Sequence, residues 1–316
     1  MRTSQPPSEK VPSYEGRPLA KPHEEVVDQG LGFDVTTLLS RRRMLRVLGL
    51  GAAAVGLAAC GGGGTTSSSS ASATTSGSGT SGEIPDETAG PYPGDGSNGP
   101  DVLEQSGIIR SDIRSSFGDA SGTAQGVPMQ LELAIKDLAN GGAGFKGVAV
   151  YVWHCDREGR YSLYSDGITN ENYLRGVQVA DADGRVQFTS IFPACYSGRW
   201  PHVHFEVYPD TGSITDDAKV IATSQVAVPK DTCTQVYGQT GYEQSVSNLS
   251  QVSLENDNVF GDDGGKSQLG TVTGDVTSGL KVALTVGVDT TTTPTGGQNA
   301  GDGAPPGGPG SPTGSS

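Results

Sequence analysis

The 316-residue sequence contains no long hydrophobic run and little positive charge. Its mildly apolar stretch at residues 47–59 is much shorter than the roughly 20 residues that a helix needs to cross a bilayer. Lys and Arg number 21 against 35 Asp and Glu, which gives a formal net charge of −14. Such a surface repels nucleic acid and anionic lipid, so we expect neither as a partner.

The composition also lacks the features of a helical protein. Charged residues make up 18% of the chain, whereas there are 48 glycines and 19 prolines. Glycine and proline weaken helix interiors and suit turns and loops. The composition therefore argues against a helical bundle and favours an all-β domain.

The amino-terminal region has the order of features that is typical of a signal peptide. Arginines at 41–43 precede the apolar stretch, and Cys60 follows small residues at its end. The arginines resemble a twin-arginine export signal, and the segment ending at Cys60 resembles a bacterial lipobox. Residues 1–60 are predicted to direct export to the cell envelope or beyond, with a lipid anchor on Cys60. The alternative is that residues 47–59 form a buried apolar helix and that Cys60 follows them by coincidence.

Two low-complexity segments flank the rest of the chain. Residues 61–85 are mostly Gly, Ser and Thr, and residues 291–316 are rich in Gly, Pro and Thr. Such segments bury too little apolar surface to offset the entropy lost on ordering. The sequence thus predicts a flexible linker at 61–85, one domain at 86–290 and a disordered tail at 291–316.

The predicted domain consists of short runs with strand character. Apolar residues alternate with polar ones from Met129 to Ile135, and residues 181–184 have the composition of a tight turn. This spacing predicts an antiparallel β-sandwich with long loops. The predicted strands are residues 129–135, 147–154, 176–179, 186–191, 202–208, 220–228 and 280–288.

One predicted strand carries His202 and His204. A strand places alternate side chains on one face, so both imidazoles point the same way and form half of a metal site. Tyr161 and Tyr196 precede them. Phenolate oxygens favour a hard cation such as ferric iron, and imidazoles complete such a site.

Residues 150–207 resemble the intradiol ring-cleavage dioxygenases. That family's pattern runs through Gly-x-Tyr, an Asp-x-x-Gly turn and a Tyr after a proline to Arg-Pro-x-His-x-His-Phe. A further segment from Glu87 to Tyr92 resembles the one that lines the family's substrate pocket. The matching segments are Gly159-Arg160-Tyr161, Asp181-Ala182-Asp183-Gly184, Pro193-Ala194-Cys195-Tyr196 and Arg199-Trp200-Pro201-His202-Val203-His204-Phe205.

The resemblance implies an iron enzyme that uses O2 to open catechol-type aromatic diols, between the two hydroxylated carbons, to cis,cis-muconate-type diacids. It implies one non-haem Fe(III) ion per chain, with Tyr161, Tyr196, His202 and His204 as ligands. The implied catalytic residues are Arg199, Tyr196 and Gln225, with Arg199 stabilising negative charge on the substrate. The implied substrate-binding residues are Thr88, Gly90, Pro91 and Tyr92.

Several alternatives stay open at the level of sequence. The proline and its neighbour after Arg199 are exchanged relative to the family pattern, and Tyr164 and Tyr173 are rival phenols for Tyr161. A secreted, non-catalytic binding module on the same scaffold is the alternative function. A two-histidine, one-carboxylate Fe(II) oxygenase would need His-x-Asp or His-x-Glu. His202 is followed at that spacing by His204, and His204 by Glu206. The substituents on the diol and the oligomeric state are also open.

The cysteines allow more than one arrangement. With Cys60 assigned to lipid, Cys155, Cys195 and Cys233 remain. They permit one disulfide, in any of three pairings, with one thiol left over. Export is compatible with such a bridge.

Overall fold

The computed structural model describes residues 82–295 and two short strands near the amino terminus, β1 (Ser13–Tyr14) and β2 (Arg17–Pro18). These two strands pair antiparallel within the first of two compact units. The predicted signal peptide with Cys60, and most of the predicted linker and tail, lie outside the described residues. Those three assignments stay predictions.

The second compact unit contains nine strands and two α-helices within the described residues. The helices span Lys230–Tyr237 and Glu243–Leu249, and neither they nor any other described helix is long and apolar enough to cross a membrane. The strands are β3 (Pro128–Asp137), β4 (Ala143–Gly144), β5 (Ala149–Trp153), β6 (Arg175–Val179), β7 (Arg185–Ile191), β8 (His202–Tyr208), β9 (Ala222–Ala227), β10 (Thr271–Asp275) and β11 (Gly279–Val288).

The strands form two sheets, which confirms the predicted β-sandwich. One sheet has the order β6–β5–β8–β9 and is antiparallel throughout. The other runs β10–β11–β3, and β3 also pairs with β4 and β7. Its β11–β3 pair is parallel, with Leu280 opposite Met129, which the prediction of an antiparallel sandwich did not include.

The seven predicted strands all form, within one or two residues of their predicted ends. Strand β10 and both helices were not predicted. β10 has the sequence TVTGD and no fully buried side chain, so it shows no apolar alternation. The helix Lys230–Tyr237 buries only Cys233, Val236 and Tyr237. The strand thus lacks the alternation from which we predicted structure, and the helix has the spacing i, i+3, i+4 over a single turn, which is too short to be recognised.

The core between the sheets follows from the alternation in each strand. Met129, Leu131 and Leu133 on β3 are at most 2% exposed and share one hydrophobic cluster with Val150 and Phe205. Because side chains alternate between the two faces of a strand, the intervening residues of β5 and β8 point away from that cluster. The two sheets therefore meet through every second residue.

The outer face of the four-stranded sheet is covered as well. All seven residues of β8 are buried, which requires protein on both sides of the strand. A second hydrophobic cluster lies on this outer face and includes Val102, Leu103 and Ile108 together with Tyr151 and Trp153. The candidate site therefore lies between this sheet and the loops that cover it.

The turn predicted at residues 181–184 does form, but it joins the two sheets. Gly184 N–H donates to the carbonyl oxygen of Asp181 at 3.0 Å. The preceding strand β6 belongs to the four-stranded sheet and the following strand β7 to the other. A local turn signal could not distinguish this crossing from a hairpin within one sheet.

Truncation of the inner face of β5 should destabilise the sandwich. Val150 is 0% exposed, and Val150→Ala removes buried methyl groups and leaves a cavity, so we expect a loss of about 2 kcal/mol in the free energy of unfolding. The same change at Val179, which is 45% exposed, should cost less than about 0.5 kcal/mol. Urea denaturation of both variants checks this, and equal losses would contradict the assignment of the core face.

Candidate active site

A single row of side chains crosses all four strands of the β6–β5–β8–β9 sheet. Arg175 on β6 is opposite Trp153 on β5, Trp153 is opposite His204 on β8, and His204 is opposite Gln225 on β9. Residues directly opposite in antiparallel strands point to the same face. The row therefore lies on the outer face, and His202 shares that face because it is two residues from His204.

The two imidazoles face each other. His202 Nδ1 lies 2.5 Å from the carbonyl oxygen of Trp200 and donates to it, so its Nε2 lone pair is free to point into the site. His202 Nε2 lies 3.0 Å from His204 Nε2. The His204 ring stacks on Trp153, with centroids 4.9 Å apart and planes inclined by 5°. Since His204 Nδ1 has no hydrogen-bond partner among the described residues, this stacking orients the ring.

Two tyrosine hydroxyls approach the same point. The hydroxyl oxygens of Tyr161 and Tyr196 lie 3.5 Å and 3.3 Å from His202 Nε2. Gly159 has a φ of +84°, and a Cβ on it would lie 3.2 Å from Tyr196 Cβ. The Gly-x-Tyr segment thus needs glycine because its backbone passes close to Tyr196 on the way to Tyr161.

The spacing of these four atoms fits a common metal ion. Bonds of about 2.1 Å to one ion place neighbouring ligand atoms about 3.0 to 3.4 Å apart, and the observed separations from His202 Nε2 run from 3.0 to 3.5 Å. Within residues 82–295 there is no cluster of three or more His, Cys, Asp or Glu side chains that could hold a metal ion. The two-tyrosine, two-histidine set is therefore the candidate metal centre.

Burial determines the protonation states of these histidine and tyrosine side chains. Burial, followed by the charge of Arg199, lowers the pKa of His202 to about 3, and burial lowers the pKa of His204 well below its ordinary value of 6.5. Both imidazoles are thus neutral near pH 7, as metal ligands must be. Burial, followed by Tyr196, raises the pKa of Tyr161 well above 10, so a strong positive charge is needed to stabilise its phenolate.

The rival phenols are engaged elsewhere. The Tyr164 hydroxyl donates to Asn98 Oδ1 at 2.7 Å and accepts from Gly94 N–H at 2.8 Å. The Tyr173 hydroxyl donates to Asp156 Oδ2 at 3.2 Å. Neither hydroxyl is hydrogen-bonded to the two histidines, which leaves Tyr161 in the predicted position.

Arg199 enters the site despite the exchanged proline. Its Nη2 donates to Gln225 Oε1 at 2.7 Å, and its Nε donates to Asp257 Oδ2 at 3.0 Å. Asp257 Oδ2 also accepts from Trp200 N–H at 2.7 Å. Asp257 could not be predicted from the sequence, because an acidic residue in a loop rich in Asp and Asn carries no signal of its own.

The segment predicted to bind substrate reaches the site through Gln225. Gln225 Nε2 donates to the Thr88 carbonyl oxygen at 3.0 Å, and Thr88 Oγ1 accepts from Gly90 N–H at 2.9 Å. The Tyr92 ring lies 5.0 Å from the Tyr161 ring. The Pro91 carbonyl oxygen accepts from Asn98 Nδ2 at 2.7 Å, so Pro91 shapes the loop.

Comparison with known proteins agrees with this geometry. A family model described as Dioxygenase matches residues 98–210, which include all four donors. The chlorocatechol 1,2-dioxygenase of Rhodococcus opacus is 32% identical over 68 residues, which are 22% of this chain and 26% of that protein. The chain thus spans about a quarter of this curated relative. An intradiol ring-cleavage dioxygenase from Tetranychus urticae shares the fold over 68% of this chain and 98% of its own, at 24% identity and a TM-score of 0.54.

These matches support the intradiol ring-cleavage dioxygenase family for residues 98–210 and the same fold for the domain. The chain departs from that family's pattern at Trp200 and Pro201, yet Trp200 is buried and its Nε1 donates to the Val228 carbonyl oxygen at 2.9 Å. The exchanged residues therefore anchor the loop to the sandwich and leave Arg199 and His202 in place.

The three cysteines within residues 82–295 are not bridged. Cys155, Cys195 and Cys233 are all buried free thiols, so none of the three disulfides that the sequence permitted is formed. Each thiol instead lies near a backbone carbonyl oxygen, such as that of Ala194 at 3.7 Å from Cys155 Sγ. Burial raises the pKa of Cys195 to about 12, which keeps this thiol protonated and makes it a poor metal ligand.

Loss of the Asp257 carboxylate should destabilise this protein. The Arg199–Asp257 pair is almost completely buried, at 4% and 0% side-chain exposure, so Asp257→Asn leaves a buried guanidinium without its counter-charge. We expect a loss of about 3 kcal/mol in the free energy of unfolding. Asp112→Asn is the matched control, because the Asp112–Arg114 pair is exposed, and it should cost less than about 1 kcal/mol. Chemical denaturation gives both values, and equal values would contradict the prediction.

The Glu87 carboxyl should make stability depend on pH. Burial, followed by the charge of Asp262, raises the pKa of Glu87 from 4.5 to about 8. Its contribution to stability is therefore complete below pH 4.5 and is lost as the pH rises through 8. Relative to wild type, Glu87→Gln should gain in Tm between pH 5 and pH 9. Thermal unfolding at both pH values measures this, and a Tm difference that is independent of pH would refute it.

Proposed function

We propose that this chain is an Fe(III)-dependent intradiol dioxygenase that cleaves catechol-type diols with O2 to cis,cis-muconate-type diacids. The observation that carries the proposal is the convergence of two tyrosine hydroxyls and two imidazole nitrogens on one point. The match to the family model and to the Rhodococcus opacus relative supports the same activity. The Rhodococcus opacus relative is a chlorocatechol 1,2-dioxygenase, which suggests a catechol as the substrate class.

The donor set suits trivalent iron. Tyr161 and Tyr196 supply oxygens that become anionic on binding, and His202 and His204 supply neutral nitrogens. The two oxygens of an aromatic diol would chelate an Fe(III) ion bound there, and the ion would withdraw electron density from the ring and make a ring carbon reactive toward O2.

The two tyrosines are suited to different tasks. Tyr161 is 1% exposed and lies under Tyr92, whereas Tyr196 is only partly buried. Tyr196 therefore has room to turn away when a diol binds and to hold one of the diol's protons on its hydroxyl oxygen. Tyr161 stays fixed as a ligand.

Arg199 supplies fixed positive charge. Asp257 and Gln225 hold its guanidinium from two sides, so its orientation costs little reorganisation during the reaction. A positive group held in this way stabilises negative charge that develops on the substrate ring. Gln225 also ties Arg199 to the segment at Thr88, which would contact the ring.

A direct test uses purified protein, which should contain one iron per chain and absorb visible light through tyrosinate-to-iron charge transfer. With catechol, it should consume O2 and form cis,cis-muconate. Colourless protein that binds no iron and consumes no O2 would contradict the proposal and favour the non-catalytic binding module.

Single substitutions should separate the ligands from other tyrosines. Tyr196→Phe should weaken the visible absorption and lower kcat by about 10²-fold or more, because it removes both a ligand and a proton acceptor. His204→Ala should abolish iron retention.

Tyr173→Phe is the matched control, since the Tyr173 hydroxyl bonds Asp156 instead of the histidines. We expect it to keep iron, colour and turnover. Metal analysis, absorption spectra and O2 uptake of the three variants provide the measurements, and unchanged colour and rate in Tyr196→Phe would exclude Tyr196 as a ligand.

A further inference from the structure

We propose that Arg175 is a positioning residue that clamps the substrate-binding segment onto the turn carrying Tyr161. This inference rests on the proposed function and assigns a role to a residue outside the donor set and its charge partners. Arg175 is 1% exposed and stands at the β6 end of the row that includes Trp153 and His204.

Every N–H of the Arg175 guanidinium is used. The group has five N–H donors in a planar fork, and five hydrogen bonds of 2.6 to 3.1 Å leave it. All five acceptors are uncharged. They are the carbonyl oxygens of Tyr92, Pro93 and Ser162, the Ser162 Oγ and the Tyr151 hydroxyl oxygen.

Four of these acceptors belong to two separate parts of the site, and the fifth, the Tyr151 hydroxyl, is on β5. Tyr92 ends the segment predicted to bind substrate and Pro93 directly follows it, whereas Ser162 directly follows Tyr161. One rigid guanidinium therefore fixes the distance between a substrate-binding backbone and a metal-binding one. The Tyr92 ring consequently packs 5.0 Å from the Tyr161 ring. An ammonium group is a compact point charge without the planar fork, so lysine cannot reproduce this geometry.

The backbone next to the Arg175 guanidinium adopts unusual conformations at three residues. Gly94 has a φ of +68°, and a Cβ there would lie 2.9 Å from Arg175 Nη1. Leu174, just before Arg175, and Leu163, two residues after Tyr161, adopt φ values of 57° and 72°. This left-handed region is uncommon for residues other than glycine and is strained. Backbone strain thus lies next to Arg175 and next to Ser162, the two residues that the hydrogen bonds join. This strain indicates that the contact between them is maintained for a reason other than stability.

A consequence is that loss of the fork should loosen substrate binding more than it slows the reaction. Arg175 touches none of the four donor atoms, so its influence passes through the backbones of Tyr92 and Ser162. In Arg175→Lys, KM for catechol should rise about tenfold or more, because hydrogen bonds from a charged group to both segments are lost. The change in kcat should be smaller, and the tyrosinate-to-iron absorption maximum should shift because Tyr161 is less constrained.

The experiment compares three variants by kinetics, absorption and hydrogen–deuterium exchange in both iron-free and iron-loaded protein. Arg175→Lys should raise amide exchange about tenfold at residues 90–98 and 161–165. Gly94→Ala perturbs the clamp from the other side and should act in the same direction, so it decides the question if Arg175→Lys does not fold.

Arg110→Lys is the matched control. Arg110 also donates to backbone carbonyl oxygens, including that of Arg175 at 2.7 Å, but its hydrogen bonds reach neither of the two segments. It should leave exchange in both segments, KM and the absorption maximum unchanged.

Unchanged exchange at residues 90–98 in Arg175→Lys, or equal effects in Arg110→Lys, would overturn the clamp. A wild-type protein that holds no iron and has no turnover would overturn the proposed function instead. In that case, exchange in the iron-free protein still decides whether Arg175 holds the two segments together.

Discussion

The register of the four-stranded sheet is the constraint on which the candidate site depends. It places Arg175, Trp153, His204 and Gln225 in one row on the outer face. A slip of one residue in any strand would turn that strand's member of the row toward the core. The inward residues between the row positions, such as Phe205, are buried in the core, so the packing of the sandwich also holds the functional side chains in line.

Burial on the outer face gives these side chains their chemistry. Loops cover the sheet, and the resulting burial lowers the pKa values of His202 and His204. Both side chains therefore present neutral nitrogens. The same low-dielectric surroundings make the Tyr161 phenolate dependent on a nearby positive charge. They also make the Arg199–Asp257 pair sensitive to loss of either partner. A solvent-exposed arrangement of the same residues would have none of these properties.

Much of this site could be predicted, and the omissions have a common cause. The tyrosines and histidines lie within about 45 residues of one another in recognisable segments, so their types and order are visible in the chain. Asp257 and Arg175 are brought to the site by long-range contacts, Asp257 with Arg199 and Arg175 with Tyr92. An aspartate in a polar loop and an arginine at the start of a strand have no local pattern that indicates such partners.

The sequence by itself determined seven of the strands, the all-β class and the donor types, because alternation and residue chemistry are properties of short segments. Only the tertiary structure decided which phenol turns toward the histidines, since Tyr161 and Tyr164 differ by three residues and by their hydrogen-bond partners. It also decided that β11 pairs parallel to β3 and that Cys155 and its two neighbouring thiols stay unbridged. These outcomes depend on distances between residues far apart in the chain, and those distances exist only once the two sheets have packed.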